Sequence, residues 1–253
     1  MNTLFWLGTI LFILMVLVGG KKGARSFLAI FFNFGVLILT ILIMLIPKAD
    51  PIILTLIAST LISCISLFYI NGVSTKTITA FISSIATVVI LLFFIVIVTE
   101  NAMIQGFGEE EAEGISAFSL YIGIDFVKIG ASVIIMSTIG AITDTAIAIS
   151  SPMREIFHHH PSISRKDLFA FGLRMGRDLL GTSTNTLFFA FFGSYLALLI
   201  WFKDLSYSID QIVNSKIFSA EMIAIFFAGI GVASTIPITS WVTAYFLVKK
   251  GRK

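Results

Sequence analysis

The segment Gly140-Ala-Ile-Thr-Asp-Thr-Ala-Ile-Ala-Ile-Ser-Ser151 sets a carboxylate, Asp144, among small residues inside a strongly apolar stretch. Gly130, Ser137, Asp144 and Ser151 recur at heptad spacing, with Gly140, Ala141 and Ala148 three or four positions from Asp144. On an α-helix these positions share one face, which is small enough for close approach of a neighbour and carries one ionisable group. Such a face supports two chemistries: a packing carboxylate paired to an arginine, or a site for a cation or proton.

A second polar stretch, Gly176-Arg-Asp-Leu-Leu-Gly-Thr-Ser-Thr-Asn-Thr-Leu187, opens another apolar segment. Asp178, Gly181 or Thr182, and Asn185 follow at i, i+3 or i+4, and i+7, and Arg174 and Arg177 sit just before them. Asp178 also suits a helix start, where a carboxylate accepts backbone N–H groups and faces the positive end of the dipole. Asn185 is too far inside for capping and needs a buried partner. The expectation is that Arg177, Asp178, Gly181, Thr182 and Asn185 meet Asp144 across two helices, forming a polar site that takes an ion, a proton-carrying water or a polar substrate group. In a third stretch, Gly229-Ile-Gly-Val-Ala-Ser-Thr-Ile-Pro-Ile-Thr239, Pro237 removes an amide donor and frees the Ala233 carbonyl, with Ser234, Thr235 and Thr239 close by. The reading there is a simple kink or a broken helix whose loosened carbonyls line a path.

The elements that must position these groups follow from composition. Of the 253 residues, 57% are hydrophobic and 12% charged. The mean hydropathy of +1.02 lies outside the range of soluble domains. Continuous apolar runs cover Leu4 to Val18, Phe27 to Ile46, Pro51 to Ile70, Thr77 to Thr99, Phe126 to Ile149, Leu179 to Phe202 and Met222 to Val248. Each is near the roughly 17–25 residues that cross a bilayer as a helix. Period-2 alternation, the mark of a membrane barrel, is missing. The fold predicted is an all-α polytopic bundle of about seven spans. The first span is read as a retained anchor: nothing basic precedes it except the amino terminus, and Gly19-Gly20-Lys21-Lys22 follows without a small-residue cleavage pattern.

All Lys and Arg except Lys48, Lys128, Lys203 and Lys216 fall on one side of this arrangement. By the positive-inside rule that side is cytoplasmic, which puts the carboxy terminus inside and the amino terminus outside. The net charge of +3 is therefore a topology signal and gives no reason to invoke nucleic acid. Residues 1–99 read as a four-span packing unit, 100–125 as an outer loop with the acidic Gly106–Gly114 stretch, and 126–253 as the unit carrying the polar residues. Ser164-Arg-Lys-Asp167 has the form of a capping box with Asp for Glu. Leu168, Phe171, Met175 and Leu179 follow at helical spacing, so 164–177 reads as a cytoplasmic amphipathic helix lying on the membrane.

The remaining reactive types support little chemistry. Cys64 has no partner cysteine and reads as a small buried hydrophobe. His158-His159-His160 reads as a polar loop, because adjacent imidazoles in a short turn cannot converge on one ion. No nucleophile-and-base pattern, metal cluster or nucleotide loop is present, so no catalytic residue, metal or cofactor is expected.

The three polar stretches, in that order and together with the Gly-Phe-Gly-Glu-Glu-Glu-Ala-Glu loop, resemble the YibE/F family of bacterial multi-pass membrane proteins over about residues 80–248. The resemblance implies a location in the bacterial cytoplasmic membrane and places Asp144, Arg177, Asp178, Gly181, Thr182, Asn185 and Pro237 in the family pattern. Family members come in long and short forms, often encoded side by side. This chain resembles the short form, so the implied partner is a long-form relative or a second copy, in contact with lipid. Two functions compete. One is a transport protein or permease subunit, an exporter or a proton- or cation-coupled carrier, with Asp144 binding the ion and the Pro237 helix as gate. The other is a non-transporting scaffold or assembly partner, in which the same faces only pack.

Overall fold

The computed structural model describes residues 3–46, 49–102, 104, 125–204 and 206–251. The Gly106–Gly114 loop lies outside the described residues. Within them the chain is helical throughout: α1 Thr3–Met44, α2 Pro51–Cys64 running on through a π-helical turn at Ile65–Tyr69, α3 Thr75–Ala102, α4 Phe126–His159, α5 Arg165–Asp204, the short α6 Ile209–Asn214, and α7 Lys216–Gly251. Hydrocarbon offers no hydrogen-bonding partner, so each apolar segment satisfies its amides within its own helix. Six of these helices are long and apolar enough to cross a membrane.

The first of the six contains two of the apolar runs expected from sequence. Gly20 interrupts α1 with φ 56° and ψ −136°, a backbone conformation that L side chains rarely adopt. The two limbs fold back on each other: a Cβ on Gly23 would collide with the Met15 carbonyl, and the Phe12 and Phe27 rings lie 5.0 Å apart.

Local chemistry sets the other helix starts. The Asp50 side chain accepts from the amides of Ile52 and Ile53 ahead of Pro51, and Asp125 does the same for Val127 and Lys128. Asp50 also receives the Lys128 ammonium at 2.7 Å, tying the start of α2 to the start of α4. That hydrogen bond holds the Asp50 carboxyl below the ordinary carboxylate range. Ser164 caps α5 through the Asp167 amide at 3.1 Å, while its hydroxyl donates to the Asp167 carboxylate at 2.6 Å, a variant of the box read from sequence.

The core sits where α3, α4 and α7 meet, across the boundary that the sequence reading drew at residue 99. Leu91, Ile95, Ile134, Ile135, Ile139 and Ile142 are almost fully buried there. Gly231 lets α7 into this core, since a Cβ would stand 3.0 Å from Ile142 and 3.2 Å from Leu91. Gly130 is likewise packed within the chain, against Ile104. Gly130 and Gly231 thus both serve packing within the chain.

Two boundaries differ from expectation. Residues 164–177 are the first turns of α5, continuous with the apolar part, instead of a separate helix. Leu168 is fully buried with Met153, Ile236, Ala244 and Leu247, so the apolar side of the segment packs on α4 and α7. The His158–His159 pair forms the last turn of α4 instead of a loop, and His159 meets Glu155 one turn back at 3.2 Å. Among the described residues no group of three or more His, Cys, Asp or Glu could hold a metal ion. Cys64 is a free, half-buried thiol.

Gly172 is wedged in this second cluster: a Cβ there would lie 2.6 Å from Ser240 Oγ and 2.7 Å from Met153 Sδ, while one on Gly193 of the same helix would touch nothing within 4 Å. Gly172→Val should therefore cost about 1–3 kcal/mol through overpacking. Gly193→Ala should be neutral or slightly stabilising. Thermal unfolding of the two variants in one detergent checks the contrast; equal melting shifts would mean that α5 does not pack here.

Candidate functional site

Asp144 lies on the face of α4 turned away from the core. Ile142, two positions earlier and so about 200° around the helix, points into the core at the level of Leu91 in the middle of α3. Asp144 is thus within the apolar part of the helix, roughly 8 Å from Ile149 at 1.5 Å per residue. It is nevertheless exposed. The space beside it is a furrow of about 490 Å³ between α4 and α5, lined on one wall by Ser137, Gly140, Ala141, Asp144, Thr145 and Ala148, and on the other by Leu179, Thr182, Ser183, Thr186 and Leu187. The furrow exists because both helices pack closely on α7 and only lightly on each other. Small side chains at Gly140, Ala141 and Ala148 keep it open.

The electrostatics of the furrow are one-sided. No hydrogen bond or ion pair engages Asp144 among the described residues, and no basic side chain lines the space. Most of its hydroxyls have already committed their protons to their own helices: Thr145 donates to the Ala141 carbonyl at 2.8 Å, Thr182 to Leu179 at 3.0 Å, Thr186 to Thr182 at 2.9 Å and Ser137 to Ile134 at 2.9 Å. A hydroxyl that has donated still offers lone pairs. The furrow therefore presents a carboxylate and several acceptor oxygens. That set suits a cation, a protonated amine or a proton-bearing water and disfavours an anion.

The residues expected to join Asp144 divide into three groups. Thr182 does line the furrow with it. Arg177, Asp178, Gly181 and Asn185 do not: all four are exposed on α5, and none lines the furrow. The positions that reach it, 179, 182, 183, 186 and 187, define one face of α5, and Gly181 and Arg177 fall on the opposite one, with Asp178 and Asn185 well off to the side. The expected Arg177–Asp144 neutralisation is absent. The spacing of Asp178, Thr182 and Asn185 was sound as a face, but the helix is rotated so that Thr182 is its only member turned to α4.

The third group lies on α7. The helix runs without a break through Pro237, so the discontinuous helix considered from sequence is not formed. Pro237 faces outward and Ser234 is half-buried, whereas Thr235 and Thr239 are fully buried against α3. Thr235 Oγ1 stands 3.3 Å from Thr87 Oγ1. With Leu91 beside Gly231 and Thr87 beside Thr235 the two helices run antiparallel, so Ser83 and Thr79 continue the row opposite Thr239 and Thr243, all of them buried. This hydroxyl seam is separate from the furrow, on the other side of α4. The buried Thr239 and Thr243 hydroxyls have no hydrogen-bond partner among the described residues. Sequence reading passed over Ser183 and Thr186 in the furrow and Thr79, Ser83 and Thr87 in the seam. The seam did have a signal, hydroxyls at i, i+4 and i+8 in α3, and Ser183 and Thr186 stood inside the quoted motif.

No curated protein and no solved structure matches the chain. The family model described as YibE/F-like protein matches residues 7–249. That range takes in the Asp144 wall, the Thr182–Thr186 wall and the Pro237 helix, and extends beyond the 80–248 resemblance into α1 and α2. This membrane-type helical bundle belongs to the YibE/F-like family.

Proposed function

We propose that the chain is a transport protein or permease subunit in which the α4–α5 furrow binds a cation or proton at Asp144. The observation that carries this reading is an unpaired carboxylate, at the depth of the apolar helix segments, facing acceptor oxygens in an open furrow. A charge at such depth costs about 2.5–3.5 kcal/mol on insertion scales, and those that persist face water, protein or an ion. An exporter and an ion-coupled permease both fit this site.

The orientation we propose follows the cations. Lys76, Arg154, Arg165 and Lys249 gather at one end, where Lys76 reaches Ser151 at 3.1 Å and Arg165 lies over the Tyr245 ring at 4.9 Å. We assign that end to the cytoplasm of a bacterial cell, with the furrow opening toward it, and read the two limbs of α1 as separate spans, making seven. Reporter fusions after Lys21 and after His160 should be inside-active, and a fusion after Glu110 outside-active. An outside-active fusion after Lys21 would mean that the first limb does not cross.

The working unit is proposed to be an assembly with a second copy or a long-form relative. A scaffold role remains the competing reading, favoured by the polar face that α5 turns outward.

The functional test uses purified protein in liposomes with an imposed pH or monovalent-cation gradient. Asp144→Asn keeps volume and hydrogen bonding but removes the charge, and should abolish protein-dependent flux, more than tenfold, with melting temperature and assembly unchanged. Flux that survives the substitution would overturn the site, and flux absent from the unsubstituted protein for every ion tried would favour the scaffold. Independently, Ser183→Cys in a Cys64→Ala background should react with a membrane-impermeant maleimide from the cytoplasmic side. A thiol there that reacts only with lipid-soluble reagents would mean that water does not reach the furrow.

A further inference from the structure

The face of α5 opposite the furrow carries Arg174, Arg177, Asp178, Gly181 and Asn185, each exposed. None of the four polar side chains has a hydrogen-bond or ion-pair partner among the described residues. Asn185 lies about 4.5 Å farther along the helix than Thr182, away from the basic end, and so is at the depth of the far part of the furrow wall, beside Thr186 in sequence. Exposed Phe192 and Leu196 follow it on the same face. An amide turned toward acyl chains at that depth is unsatisfied, which a membrane helix avoids by pairing it with another helix.

We propose that this face is the seam of a parallel homodimer, a second copy of this chain related by a twofold axis along the membrane normal. This specifies the partner in the assembly put forward above, and it does not depend on whether Asp144 binds an ion. The argument for a second copy is self-complementarity. A twofold along the normal sets each residue against the same depth of its mate. Arg177 and Asp178 differ by one rise, about 1.5 Å, and lie on either side of Gly181 when viewed down the helix. Rotation by 180° brings Asp178 of each copy to the side on which the other presents Arg177, giving two equivalent ion pairs near the membrane surface. Gly181 sits between them, where a Cβ would meet nothing within 4 Å in the single chain, so backbones can approach. One step deeper Asn185 meets its own copy, and a carboxamide can both donate to and accept from an identical group.

The test is cross-linking in native membranes in a Cys64→Ala background. Gly181→Cys and Asn185→Cys should each give a disulfide-linked species of twice the monomer mass, and Thr186→Cys, on the furrow face, should not. Arg177→Asp and Asp178→Arg should each reduce the dimer, and the combination Arg177→Asp with Asp178→Arg should restore it. Asn185→Leu should weaken association about fivefold to thirtyfold, the worth of an interhelical hydrogen bond in a membrane. Melting temperatures near that of the parent separate lost association from lost folding. Cross-links from position 186 but not from 181 and 185, or failure of the double charge swap to restore dimer, would overturn the seam. A cross-linked product only with a protein of different mass would overturn the second copy while keeping assembly. Monomer throughout, with Asp144-dependent flux intact, would remove the dimer and leave the transport reading standing.

Discussion

Hydrocarbon does not hydrogen-bond, and that constraint organises this protein at every level. It makes each apolar segment a helix, and it favours side-chain hydroxyls at membrane depth that bond back to their own carbonyls. The core shows the consequence. Ser83, Thr87 and Thr235 each donate to a carbonyl of their own helix, at 2.7, 2.9 and 2.7 Å, and once satisfied they can be buried completely between α3 and α7. Small, self-satisfied side chains let helices approach closely, so Gly231 and the hydroxyl seam hold the α3–α4–α7 core together by contact, since lipid supplies no hydrophobic drive between helices.

Against that background the furrow stands out for what is left unsatisfied. α4 and α5 are each committed to α7, and the gap between them is a by-product of that commitment. Its walls reuse the same hydroxyl chemistry, but with the lone pairs facing open space instead of a neighbouring helix. Adding one carboxylate turns a packing defect into an acceptor-rich surface. The binding reading for Asp144 draws its strength from this combination, since a buried carboxylate serving only packing would have its arginine beside it, and Arg177 is on the other side of α5.

The polar residues of α5 serve two directions at once. Thr182, Ser183 and Thr186 look toward α4, while Arg177, Asp178, Gly181 and Asn185 look away from the chain. A helix with polar groups on two faces and apolar contact on a third, through Gly172, Gly176, Leu180 and Phe191, joins an internal site to an external surface.

The amino-acid sequence by itself determined the apolar setting, the helical class, nearly every helix position and the placing of Asp144 inside an apolar segment, because hydropathy, capping residues and the cost of a charge in hydrocarbon are properties of local segments. It also marked the α5 motif as a face by spacing alone. Only the tertiary structure decided which way that face turns. Arg177, Asp178 and Asn185 were grouped with Asp144 because a one-dimensional pattern gives the members of a helical face but not the rotation of the helix about its axis. That rotation is set by Gly172 and Gly176 fitting against Ser240 and Ile236, contacts between residues far apart in the chain. The same holds for α7, where Pro237 was visible but its outward direction, with Thr235 and Thr239 turned to α3, depends on how Gly231 seats against Ile142 and Leu91.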